Sequence, residues 1–356
     1  MLWTALVVGA SVAVSRVPSR SIFDVYRDGV AHWWAAAPLY GAGMRAFVYF
    51  PSAVLIFTPF AMLGQPLDDL AWRGCSVGLF VFGLWRLTRL VRPDEPQLAL
   101  AIILLLLLPC SGVDVQRGQA TVAMAGWIFL GTADVAERRW TRAAVWLCLA
   151  VALKPLALVP LLLLGAVFSS LRWRLALGVA LVVTVPFIHP DPAYVVSQQV
   201  AMLHTLTHAA DLGVTRFNDI GMMLDRFGIT VPAPELLVLR AAAAAITLGL
   251  AVMAGRRLPP RECAVAVLAL GMAYLMLCNP RTELGNYMGM AAVIGLFMVQ
   301  GPTRPWLGAV ILAMGTQAYG NWIFRPTDVW LKPALCLIFT AWLAATVIQA
   351  PGRRRA

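Results

Sequence analysis

The sequence predicts an all-α integral membrane protein, a bundle of about 12 transmembrane helices with amphipathic helices in the outer loops. Three observations carry that prediction. Of 356 residues, 60% are hydrophobic and only 13% charged, where ordinary globular chains carry about 25% charge. Mean hydropathy is +0.78. Apolar runs such as 98–108 and 241–254 recur along the chain, each bounded by Arg or Pro, as in polytopic helical proteins.

The net charge of +11 comes from arginines scattered through short inter-helix loops, not from one basic patch. That excludes a nucleic-acid binder and fits cytoplasmic loops facing anionic lipid. Cys75, Cys110, Cys148, Cys263, Cys278 and Cys336 form no CxxC pair and read as small core residues. The apolar run 2–14 has no basic residue before it and no cleavage site after it, so it reads as a retained first helix.

The remaining spans follow from the basic clusters. With the Arg353–Arg355 tail in the cytoplasm, spans fall at 330–349, 306–322, 284–299, 262–277 and 236–254. Upstream come 175–188, then 156–168 and 143–153 meeting at Lys154-Pro155, then 119–132, 98–108 and 72–90. Every basic cluster from Arg86 onward then lies on one side, as the positive-inside rule requires. The run 51–63 is about four helical turns and too short for a ~30 Å core. Pro51, Pro59 and Pro66 punctuate it, and it reads as re-entrant or tilted, which places the segment 16–49 outside. The chain is one membrane domain over 1–356, with two elaborated outer loops, 16–49 and 189–234, capping a site.

On this topology the outer side collects Asp24, Asp28, His32, Asp114, Gln116, Arg117, Gln119, Lys154, His189, Asp191, His204, His208, Asp211, Arg216, Asp219, Arg281 and Glu283. Ionisable groups kept at a bilayer boundary are functional candidates. Most also have a plainer reading. Asp24 is well placed as a helix cap, and His32 with Trp33-Trp34 suits an interfacial helix. His204 and His208 are four apart but lack the frame of a metal site. Asn279 or Thr282 suits a helix terminus. Arg138, Arg139 and the terminal arginines are anchors.

Lys154 stands apart. Apart from Lys332 it is the only lysine, and it sits between apolar segments before a helix-breaking proline. It either snorkels or meets an anion, and a phosphate suits a lysine point charge. The chemistry this set fits is transfer of a sugar from a lipid phosphate. Lys154, Arg281 and Arg117 would hold the leaving phosphate, and a carboxylate within about 3 Å would deprotonate the acceptor hydroxyl. A single carboxylate points to direct displacement with inversion.

The order Phe23-Asp24-Val25-Tyr26, Pro38-Leu39-Tyr40, Tyr49-Phe50-Pro51, Arg117-Gly118-Gln119, Ala152-Leu153-Lys154-Pro155 and Asn279-Pro280-Arg281-Thr282-Glu283 resembles the bacterial polyprenol-phosphate-dependent glycosyltransferases of family 87. These include phosphatidylinositol-mannoside mannosyltransferases and arabinofuranosyltransferases. The resemblance implies a GT-C fold and Asp24 as general base in the first outer loop. It places the donor phosphate at the Lys154-Pro155 corner, with Arg281 and Arg117 as further phosphate ligands. Tyr26, Asp28, Gln119, Tyr49, Glu283 and His189 are then sugar or acceptor contacts. The donor would be a polyprenyl-phosphate hexose, mannose-like by default, and the acceptor a glycolipid or glycan hydroxyl. Catalysis would lie on the periplasmic side of a bacterial inner membrane. No cofactor is called for, and nothing in the sequence indicates a divalent metal. Tyr49-Phe50-Pro51-Ser52 has one proline where relatives often have two, and Arg117 stands where a small polar residue is usual. The competing class is a transporter or flippase of a lipid-linked or anionic substrate, which predicts internal repeats and charges along a through-path. Neither is visible.

Overall fold

The computed structural model describes residues 2–41, 45–207, 217–302 and 304–351. His208, Asp211, Arg216 and the Arg353–Arg355 run lie outside the described residues. The described residues fold into helices and short 3-10 turns with no strand.

The interior is built by α6 (Ala120–Ala136), in which every residue is buried. It lies against α4 (Leu67–Val91) at a crossing set by two glycines. A Cβ on Gly126 would sit 2.6 Å from the Leu79 backbone, and one on Gly83 would sit 2.6 Å from the Gly126 carbonyl. With lipid as solvent, backbone proximity at small residues replaces the hydrophobic drive between helices. α13 (Pro260–Cys278) and α14 (Tyr287–Val299) complete the interior. α5 (Pro96–Arg117) packs against α14 and against α1 (Leu2–Arg16). α7 (Trp140–Leu153) and α8 (Leu158–Val167) meet at Lys154 and a 3-10 turn.

α9 (Ser169–Thr184) and α12 (Ala233–Arg257) are peripheral. Leu177, Val183, Leu237, Val238 and Ile246 are exposed on them. Leucines and valines displayed along whole helices suit a hydrocarbon surround, so the protein is membrane-embedded. Among the described residues, six helices have the length and composition to cross a bilayer: α4, α5, α12, α13, α9 with its following turn, and α17 (Leu331–Gln349). Six further apolar helices are shorter. One expected span, 306–322, is not a continuous helix. α15 (Pro305–Ala313) stops after nine residues, a 3-10 turn follows, and α16 (Asn321–Thr327) starts afresh after Gly320 at φ +83°.

The two ends of the bundle differ. At one, Arg86 bridges Asp134 and Glu137, each at 2.8 Å, and Arg92 donates to the Gly301 carbonyl. At the other lie α2 (Phe23–Trp34), α3 (Pro51–Ala61), α10 (Pro192–Thr207) and α11 (Ile220–Arg226). α2 is amphipathic as expected, with Phe23, Tyr26, Val30 and Trp33 buried at helical spacing.

α3 begins at that second end. Ser52 donates to the Ala152 carbonyl beside Lys154. The start of α4, six residues beyond α3, meets α2 through Arg27–Asp68 at 2.5 Å. Eleven residues reach only about 16 Å. α3 runs beside α2, with Trp34 Nε1 donating to Thr58 Oγ1, and the chain is at the second end both where α3 starts and where α4 starts.

Candidate active site

The site grows from the corner at the end of α5. Gly118 takes the left-handed φ of +65° that ends the helix, a conformation suited to glycine. Arg73, fully buried, holds this corner: Nε donates to the Val115 carbonyl at 2.7 Å and Nη2 to the Gln116 carbonyl at 3.2 Å. Asp69 pairs with the same guanidinium at 2.8 Å. Trp72 Nε1 donates to the Gly118 carbonyl. The corner then accepts the start of α2, because Ile22 N donates to the Arg117 carbonyl at 3.0 Å.

Asp24 is therefore seated beside the Arg117-Gly118-Gln119 corner. It is not the helix cap; Ser21 Oγ accepts from Phe23 N instead. Its carboxylate is half exposed and paired with Arg45 Nη2 at 2.5 Å. Asp28, one turn on, is exposed. Tyr26 faces inward. Its hydroxyl accepts from Ala120 N at 3.0 Å and lies 3.1 Å from the Tyr49 hydroxyl. Burial pushes both phenols above their usual range, so both remain neutral donors.

Beyond Tyr49 stands Lys154, its Nζ 5.8 Å from the Tyr49 ring centroid. The ammonium does not snorkel. It donates to Thr121 Oγ1 at 2.9 Å, and Thr121 in turn donates to Asn286 Oδ1 at 3.3 Å. Glu283, Asp114 and Arg281 lie within electrostatic reach of it. Gln119 Nε2 donates to Glu283 Oε2 at 3.2 Å, and Arg117 approaches the same oxygen at 3.9 Å. Thr282 satisfies the carbonyls of Leu275 and Asn279 at the end of α13, so it ends the preceding helix and does not start the next.

Nine of the ten expected site residues thus share one end of the bundle around this corner: Asp24, Asp28, Tyr26, Tyr49, Arg117, Gln119, Lys154, Arg281 and Glu283. His189 is at the same end but elsewhere. Its Nε2 is 3.0 Å from the Trp33 carbonyl and its Nδ1 accepts from Asp191 N, which latches the far end of α2.

Three further residues border the site, of which Asp114 was expected on the outer side but without a role. Asp114 is buried, its carboxylate laid against Gly285 where any Cβ would collide with it. Lys332 is fully buried and donates to the Leu284 carbonyl at 2.9 Å and Gln317 Oε1 at 2.7 Å. It secures the Glu283-Leu284 backbone from behind. Arg45, which pairs with Asp24, carries no sequence signal beyond its charge in a loop.

An apolar groove of about 520 Å3 runs between α3, α7 and α9. It extends from Thr141 and Trp173 at the arginine-rich end to Ser52 and Ala152, two residues from Lys154.

An all-helical membrane protein with acids and cations gathered at one end of its bundle is the class these features define. The model of glycosyltransferase family 87 matches residues 47–280, about two thirds of the chain, and the chain belongs to that family. It is a glycosyltransferase. The matched stretch takes in Tyr49, Arg117, Gln119, Lys154 and His189, and leaves Asp24, Tyr26, Asp28, Arg281 and Glu283 outside it. No curated protein gave a match.

Proposed function

We propose that this glycosyltransferase moves a monosaccharide, a mannose-like hexose by resemblance, from a polyprenyl-phosphate donor to a hydroxyl of a glycolipid or glycan. The observation that carries a lipid-linked donor is the groove between α3, α7 and α9, which ends at Ala152. An apolar groove whose lining reaches Ala152, two residues before Lys154, suits a molecule with a hydrocarbon tail and a phosphate head. In this reading Lys154, Arg281 and Arg117 neutralise the phosphate as the anomeric C–O bond breaks. Asp24 takes the proton of the acceptor hydroxyl as its oxygen forms the new bond to the anomeric carbon. One displacement inverts that carbon. Arg45 holds the carboxylate until an acceptor displaces it.

The site belongs on the side of a bacterial inner membrane opposite its arginine-rich loops, which the positive-inside bias assigns to the cytoplasm. The test is to incubate protein in nanodiscs with a panel of polyprenyl-phosphate sugars and a bacterial glycolipid extract, then determine product linkage. Inverted linkage with release of polyprenyl phosphate is expected. Transfer from nucleotide sugars alone, or retention of configuration, would refute the reading.

A further inference from the structure

The arginine-rich end carries a second cavity, of about 810 Å3, remote from the site above. Its size lies in the roughly 300–1,000 Å3 range of small-molecule sites. It is bounded by the ends of α4, α6, α13 and α14 and by α17, and is open on one side. One wall is apolar, with Phe297, Trp342 and Val347; the rim is charged, with Arg138, Arg261 and Arg304.

The charges do not cancel. Glu137 is already claimed by Arg86 at 2.8 Å and Arg139 at 3.1 Å. Arg304 donates to the carbonyls of Phe297 and Gln300 and lies 5.3 Å from the Trp342 ring centroid, so its charge has no carboxylate partner. The side chains of Arg138 and Arg261 make no hydrogen bond or ion pair with any described residue, and against them stands only Glu262. Arg138 moreover holds φ at +59°, a conformation uncommon for a side-chain-bearing residue.

We propose that this cavity binds the phosphate headgroup of an anionic phospholipid, with an acyl chain laid along Trp342 and Phe297. A soluble anion would need the cations but not the apolar wall. A zwitterionic lipid would need the wall but not the excess charge. Basic pockets between helix ends on the cytoplasmic side are suited to such headgroups.

The test is native mass spectrometry of the full-length protein released from mixed micelles holding equal phosphatidylglycerol and phosphatidylcholine. The expected result is one retained phosphatidylglycerol, preferred by roughly tenfold or more. R138Q/R261Q brings the preference to within about twofold. Thr346→Trp, which fills the cavity from an exposed lining position, removes retention while leaving the charges in place. Arg89→Gln, an exposed arginine outside the cavity, changes nothing. Equal retention of both lipids, an equal loss with Arg89→Gln, or displacement by millimolar inorganic phosphate each overturns the proposal.

Discussion

Arg45 Nη2 lies 2.5 Å from each carboxylate oxygen of Asp24, on a surface where both side chains are about half exposed. An exposed pair of this kind contributes about 0–1 kcal/mol, so its removal tests chemistry and not folding. Asp24→Asn is expected to lower kcat by roughly 10²–10⁴-fold with the melting temperature within a few degrees of wild type. Wild-type turnover by a folded Asp24→Asn protein would remove Asp24 from the mechanism.

Lys154 is expected to act on donor binding. Lys154→Met should raise the KM for the lipid donor at least tenfold, since a hydrogen bond to a charged group contributes about 1.5–3 kcal/mol. Thr121→Val, which removes the acceptor of its ammonium, should move the same parameter in the same direction. Acceptor KM should stay put in both. Initial-rate kinetics with each substrate varied in turn read out the difference.

The groove makes a chain-length prediction. Val145→Trp, at an exposed position lining it, is expected to raise KM for a long polyprenyl donor about tenfold, as a side chain's worth of buried apolar contact is lost. A short-chain analogue that does not reach Val145 should be unaffected. Equal effects on both donors would disconnect the groove from the tail.

Gly285 and Asp114 are expected to be coupled. Gly285→Ala puts a methyl into the Asp114 carboxylate, and overpacking of this kind costs about 1–3 kcal/mol. Asp114→Gly in the Gly285→Ala background should recover part of the loss. A double-mutant cycle in thermal stability measures that non-additivity.

Lys332 is expected to be structural. Lys332→Met strands the Leu284 carbonyl and Gln317 Oε1, acceptors it now satisfies, and unsatisfied buried groups cost about 1–3 kcal/mol each. Because Leu284 adjoins Glu283, activity should fall together with thermal stability. A change in kcat with no change in stability would assign Lys332 a chemical role instead.

Much of this arrangement was legible in the residue order. Lys154 stood out because a lysine before a proline in an apolar run has few explanations, and Asp24 because the resemblance makes it the general base of the first outer loop. Tyr26 and Tyr49 joined them through the resemblance. Arg73 and Lys332 did not stand out, because a cation near a helix terminus reads as lipid-facing and nothing local marks one that turns inward. Their burial is a tertiary fact: Arg73 is called in by the bare carbonyls of the α5 corner, Lys332 by that of Leu284. His189 went the other way, since a buried imidazole serving Trp33 and Asp191 has the same sequence signature as a ligand-binding one. The run 306–322 keeps its apolarity through a break that lies where Gly315 packs closely against Pro109 and Gly320 takes a positive φ.

The eleven residues of α3 govern the parity of everything downstream. A segment whose two flanks lie at one end of the bundle adds no crossing, so later helices keep the sidedness set by the first. Lengthening it by two turns into a full span would invert the remainder of the polypeptide. The carboxylate of the first loop and the ammonium after α7 would then face different compartments, each with intact local structure and neither able to reach a common substrate.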